Sequence, residues 1–379
     1  MLVLLGGVVV FGLVALFCAW RFGKLFGQIR IWQALFGAVF LAQVCFALNL
    51  RLHFLPREVS IFATILVGLS LFVFCLLLAF EALSFLLRLA LKGATYPPTT
   101  LRLAKRGAGV SLLLATVLLG GYSFYNAFNI KIVKTAFNFN LASNSNLTTP
   151  LRFAVISDLH IGGFVTQDFV AKVAEKIRRH NAEAILLVGD ISDVSPQQMA
   201  SSLAPLTALQ TPIFAVVGNH EYYKDDLGER ILALNKIGIK VLQNEAVEFG
   251  GVNLIGVYDL AANRQNLPVA ANSRFKPDFD AAYNSVSNPA LPTILLAHQP
   301  KAAKFLTAAQ KKATNLMLSG HTHNGQIFPF NIIAKLANGY LYGLYKEGDF
   351  AVFVTSGVGF WGPPFRFGSQ SEIVLLDIF

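Results

Sequence analysis

Four runs free of charged residues, Met1–Trp20, Ile31–Leu50, Val59–Phe80 and roughly Gly107–Phe128, fill the first third of the chain. A helix needs about 20 apolar residues to cross a hydrocarbon core of ~30 Å. Only a helix or a closed barrel satisfies its backbone groups there. The runs therefore predict an all-α, four-helix transmembrane region over residues 1–128, integral to the inner or plasma membrane. A cleaved leader would carry positive charge ahead of its apolar stretch, whereas Arg21 and Lys24 follow the first run, so it is read as a retained span. The stretch Ala82–Lys92 either extends the third helix or lies in the interface, and Glu81 is read as the mark of a helix end.

Composition agrees and shows where the apolar excess lies. With 54% hydrophobic and 14% charged residues, the 379-residue chain is no ordinary water-soluble globule, in which about a quarter of residues are charged. The net charge of +10 is equally uneven: residues 1–148 contain 12 Lys and Arg against Glu58 and Glu81, leaving 19 of each sign beyond them. A formally neutral C-terminal part gives no footprint for nucleic acid. The basic excess instead orients spans. Arg21, Lys24, Arg30, Arg88, Lys92, Arg102, Lys105 and Arg106 follow the first and third runs, while Arg51, Arg57, Lys131 and Lys134 follow the second and fourth. Eight against four predicts a multi-pass protein with its N-terminus and C-terminal domain on the extracytoplasmic side. Cys18, Cys45 and Cys75 lie in the apolar runs, so the C-terminal part has neither a disulfide framework nor a thiolate metal site.

From 129 to 379 the pattern is that of a separate α/β domain. Lys131–Lys134 alternates like a strand, and Ala142–Pro150 has turn composition. Short runs rich in β-branched residues then alternate with helical patterns: Arg152–Ile156, Ala184–Val188, Ile213–Val217, Val252–Val257, Thr293–Ala297, Leu316–Leu318, Ala351–Val354 and Ile373–Leu376, with an amphipathic helix over Asp168–Arg179. Polar groups follow five of these strands: Asp158 and His160; Gly189-Asp190; Gly218-Asn219-His220-Glu221; His298; and Gly320-His321-Thr322-His323. Each alone is commonplace. Residues just beyond the carboxyl ends of α/β strands, however, converge on one site. Of the seven histidines only His53 and His180 lie outside these motifs, and neither is given a role.

Asp, Asn and His together suit Mn, Fe, Zn or Co, whereas several imidazoles argue against magnesium or calcium. Two such cations about 3.5–4 Å apart polarise a phosphoryl group and generate hydroxide at neutral pH. A carboxylate touching both must hold them, and Asp190 is the natural candidate. In their order, D-x-H, G-D, G-N-H-[DE], H and G-H-x-H, these residues resemble the calcineurin-like metallophosphoesterase superfamily over 129–379. The resemblance implies a two-sheet β-sandwich flanked by helices. It implies a first metal on Asp158, His160 and His323, a second on Asn219, His298 and His321, and Asp190 between them. It implies that the catalytic His220 faces the phosphate without binding metal.

The flanks Ser157–Gly162, Gly320–Ile327 and Ser356–Arg366 look like bacterial membrane-linked or exported members, although that branch commonly carries a glycine where Asn324 stands and a smaller aliphatic where Phe365 stands. The expected substrate is a phosphate ester, lipid or envelope derived. Phe360, Trp361 and Phe365 form either an apolar rim for it or packing at the sheet end, with Arg366 as a candidate phosphate contact. The expected activity is phosphodiester hydrolysis. The alternatives are pyrophosphate hydrolysis of a nucleotide-linked lipid and a non-catalytic scaffold, and no protein partner is inferable.

Overall fold

Helices occupy the first third of the chain, as its uncharged runs require. The structure is a computed structural model and describes residues 2–52, 55–91, 97–139, 150–264 and 273–379, so His53, Lys92 and the turn segment 142–149 lie outside the described residues. Helices α1 (Leu2–Phe26), α2 (Ile29–Leu52), α3 (Arg57–Ala90) and α4 (Pro98–Phe128) are each long and apolar enough to cross a membrane. The 34 residues of α3 span about 51 Å at 1.5 Å each, well beyond a ~30 Å core. The stretch after Phe80 therefore continues the helix. Glu81 sits inside it and forms an ion pair with Arg21 of α1 rather than ending it. Cys18, Phe22, Phe36 and Leu77 build the interior of this helical unit, where Phe22 stacks on Trp32 at 4.8 Å. Buried Gln43 donates to Ser70 Oγ at 2.6 Å.

Contacts divide the chain into a helical unit, 1–125 with 362–365, and a second unit, 126–361 with 366–379. In the second, β1 (Lys131–Phe137) and β2 (Leu151–Ile156) precede α5 (Gln167–Arg178) and β3 (Ala184–Val188). Next come α6 (Pro196–Ser202), α7 (Ala204–Thr207), β4 (Ile213–Val216), α8 (Leu227–Lys236), β5 (Ile239–Val241), β6 (Glu245–Phe249) and β7 (Val252–Gly256). The chain finishes with α9 (Phe279–Asn284), β8 (Thr293–Leu296), α10 (Ala308–Ala313), β9 (Leu316–Ser319), α11 (Phe330–Asn338), β10 (Gly343–Glu347), β11 (Phe350–Val354) and β12 (Glu372–Ile378).

These strands form two mixed six-stranded sheets, β1-β12-β2-β3-β4-β5 and β10-β11-β9-β8-β7-β6. Central strands β3, β7, β8, β9 and β11 are buried throughout, which explains why they read as mostly apolar runs rather than as alternation. Phe153, Val155, Leu186 and Val188 of one sheet meet Leu254, Ile294, Leu296 and Leu318 of the other in the shared core. The opposite face of the first sheet is covered by Val170, Val173 and Ile177 of α5 and Ile231 and Leu234 of α8. Parallel strands deliver their carboxyl ends to one edge of the sandwich. The motif loops open there.

Candidate metal centre

Three of the five motif loops, those of Asp158, Asp190 and His321, are forced into a shape that extended or helical backbone cannot supply. Among the described residues ten non-glycine positions have φ in the left-handed region, and five are Asp158, His160, Asp190, His321 and His323, with φ from 48° to 69°. Such conformations cost roughly 1–3 kcal/mol each and persist where the surroundings over-determine them. Close approach adds a second constraint. A Cβ on Gly320 would lie 1.9 Å from Ser157 Oγ and 2.3 Å from Asp158 Oδ2, and one on Gly218 would lie 2.3 Å from Asp190 Oδ1. Only glycine lets these loops touch.

The motif side chains gather in two groups, Asp158 with His160 and His323, and Asp190 with His298 and His321, each with candidate ligand atoms within 4.8 Å of one another, and His220 with Asp193 and His160 forms a third such group beside them. Asp190 Oδ2 lies 3.2 Å from His298 Nε2, 3.6 Å from His160 Nε2 and 4.0 Å from His220 Nε2. Its Oδ1 accepts from the His220 backbone N–H at 2.9 Å. Asp158 accepts from Ser157 Oγ at 2.6 Å and from the His321 N–H at 3.0 Å. His298 Nδ1 donates to the Val188 carbonyl at 2.9 Å, which leaves Nε2 buried without a hydrogen-bond partner among the described residues. Asn219 donates its amide to Tyr223 Oη at 2.9 Å, and its buried Oδ1 likewise has none. His160 Nε2 faces His323 Nε2 at 3.1 Å.

These features fit a bound cation. Two nitrogens held about 2.1 Å from one tetrahedral ion lie roughly 3.4 Å apart, a few tenths of an ångström beyond the His160–His323 separation, and a metal satisfies acceptor atoms that lack a proton donor. Burial alone would raise the Asp190 carboxyl, but the His298 and His220 imidazoles hold it well below its usual range. Burial raises Asp158, and the neighbouring Asp190 adds to the effect against the opposing His298. Burial and the adjacent His298 push His321 down to about 3.

His220 stands at the rim of this cluster. Its Nδ1 pairs with Asp193 Oδ1 at 2.6 Å and its ring lies 4.4 Å from that of His160. Burial would lower its pKa, yet the Asp190 and Asp193 carboxylates push it up to about 9.

Three further residues shape the site, and of these only Glu221 belongs to a sequence motif. Asp193 is one, and its only local signal is the spacing Asp190-x-x-Asp193. Glu221 is buried and accepts from Gly218, Ile191 and Ser192 N–H groups at 2.8–3.1 Å, clipping the β3 and β4 loops together. Tyr223 fixes the Asn219 amide. One sequence reading is corrected, and the choice left open for the three aromatic residues is narrowed. Arg366 is fully buried and donates to the carbonyls of Ser356 and Gln370 at 2.7 and 3.1 Å, so it is not a phosphate contact. Phe360 and Phe365 are buried, which leaves Trp361 alone of the three at the surface. Phe365 packs edge-on against Phe72 at 5.7 Å within the helical unit.

A two-sheet sandwich that carries aspartates, an asparagine and histidines beyond its strand ends defines a metallophosphoesterase, and comparison with known proteins agrees. A family profile described as calcineurin-like phosphoesterase matches residues 151–325. An uncharacterized metallophosphoesterase of Campylobacter jejuni is 30% identical over 353 residues, 92% of this chain and 89% of its own length. The chain belongs to the calcineurin-like metallophosphoesterase family. An uncharacterized metallophosphoesterase of Helicobacter pylori is 42% identical over 237 residues, 61% of this chain; the chain spans 60% of that relative's length. Phosphodiesterase YaeI of Escherichia coli is 28% identical over 255 residues, covering 63% of this chain and 86% of its own length.

Proposed function

We propose that the chain is a membrane-anchored phosphoesterase that hydrolyses a phosphodiester at a site for two divalent transition-metal ions. The observation that carries this reading is Asp190: one carboxylate oxygen faces imidazole nitrogens of both side-chain groups, at 3.2 Å and 3.6 Å. Asp158, His160 and His323 would hold one ion, Asn219, His298 and His321 the other, with Asp190 shared. When bound, such ions supply Lewis acidity toward the phosphoryl oxygens and a water of lowered pKa.

The remaining work falls to the chain. Asp193 accepts from His220 Nδ1 and so turns Nε2 toward the cluster, where it can hold a proton for the leaving oxygen. Glu221 keeps the loops of Asp190 and Asn219 in register, and Tyr223 keeps the Asn219 carbonyl oxygen facing inward. A diester is favoured by the activity named for the Escherichia coli relative and by the tethering of the domain to spans. The excess of basic residues after the first and third spans supports an extracytoplasmic domain.

Purified full-length protein in detergent, supplied with Mn²⁺, should give a higher kcat/KM on bis(p-nitrophenyl) phosphate than on p-nitrophenyl phosphate and lose both activities on chelation. A higher kcat/KM on the monoester would overturn the diester assignment, and activity that survives chelation would overturn the metal.

A further inference from the structure

Helix α11 carries no acidic residue and turns an apolar face to solvent. Phe330, Ile332, Ile333 and Leu336 are exposed, the last two by 62% and 80%, with Phe328 just ahead of the helix exposed by 51%. They share one helix face roughly 160° wide, the width of a stripe that in a globular helix is buried. Its own sandwich leaves it uncovered.

The position of this face names its occupant. Ala127 and Phe128, the last residues of α4, belong to the phosphoesterase unit: Ser371 Oγ donates to the Ala127 carbonyl at 2.7 Å, and the Phe128 ring meets Phe360 at 5.3 Å. The next residue, Trp361, is 55% exposed and exchanges two hydrogen bonds of 2.9 Å with Gln326, two residues before Phe328. A short series of contacts thus leads from the exit of the last candidate span to the apolar face. Strand β1 begins only three residues after α4 ends. Lys335 on the helix, and Lys304 beside Gly339 at its C-terminal end, add the positive fringe that anionic headgroups attract. Apolar and aromatic residues on one face with lysine at the border are the make-up of helices that lie in a membrane interface.

We propose that the α11 face, with Phe328 and Trp361, is seated in the headgroup region of the bilayer that the chain spans. The loop of His321 and His323 leads directly into this helix, so docking opens the site at headgroup height. That consequence rests on the proposed function; the docking itself does not.

The test uses the full chain with Cys18, Cys45 and Cys75 replaced by Ser and a single nitroxide at Leu336→Cys, in nanodiscs of phosphatidylethanolamine and phosphatidylglycerol. Lys172→Cys on α5, an exposed position, serves as reference. Power saturation should give an oxygen-to-nickel-chelate accessibility ratio several-fold higher at 336 than at 172. Equal ratios would overturn the proposal, because the face would then be in water. A label at 336 shielded from both relaxants would also overturn it, in favour of a protein partner. The readout is independent of hydrolysis, so an inactive or differently specific enzyme leaves the accessibility ratio unaffected.

Discussion

His220 and Asp193 form a pair whose value lies in direction rather than in strength. The 2.6 Å contact at Nδ1 decides which imidazole nitrogen faces the cluster, the nitrogen proposed to serve the leaving group. His220→Ala should therefore keep the bound metal and lower kcat by roughly 10²–10⁴, the span of a lost general acid or base. Asp193→Asn should cost less, and combining it with His220→Ala should cost no more than His220→Ala alone, because residues acting through one another are not additive. Metal loss on replacing His220 would make it a ligand instead, and additive losses would separate Asp193 from it. The residues proposed as ligands are legible in the sequence because each stands beside a strand and belongs to a motif with fixed spacing. Asp193 and Tyr223 are not, since their roles arise only when separate loops fold against each other. The reading of Arg366 fails for the same reason: nothing local announces that a guanidinium will be buried among main-chain carbonyls.

Strands and loops divide the labour between rigidity and contact. Buried apolar strands fix the sheet edge, and glycines where loops cross let that edge carry a site. Gly320→Ala should lower metal content and reduce Tm, because a Cβ 1.9 Å from Ser157 Oγ must displace the Asp158 loop, and forced overpacking costs about 1–3 kcal/mol. Unchanged metal content and Tm would show that the loops have slack. The central strands are readable from composition alone, as short, mostly apolar runs. Strands β5, β6 and β10 are not: β5 has three residues, while β6 and β10 are outer strands of their sheet with little burial to pattern them. The parallel pairing of β1 with β12 joins opposite ends of the domain, a relation that no local window contains. The division into two sheets follows from the resemblance to a family, not from periodicity.

At the scale of the whole chain, four candidate spans and a phosphoesterase sandwich follow one another almost without a linker. Pairing of Arg21 with Glu81 withdraws one charge from the loop count, leaving seven basic residues against four, so the balance keeps its sign. Alkaline phosphatase fused after Phe379 should thus be active and green fluorescent protein fused there dark; the reverse pattern would put the domain in the cytoplasm. The central claim, however, is the metal centre shared through Asp190. Elemental analysis of active full-length protein measures it most directly. About two transition-metal ions per chain are expected, with Asp190→Asn depressing both together and nearly abolishing hydrolysis, because the shared carboxylate serves each site. An active preparation free of transition metal, or an Asp190→Asn protein that keeps full occupancy, would contradict the account.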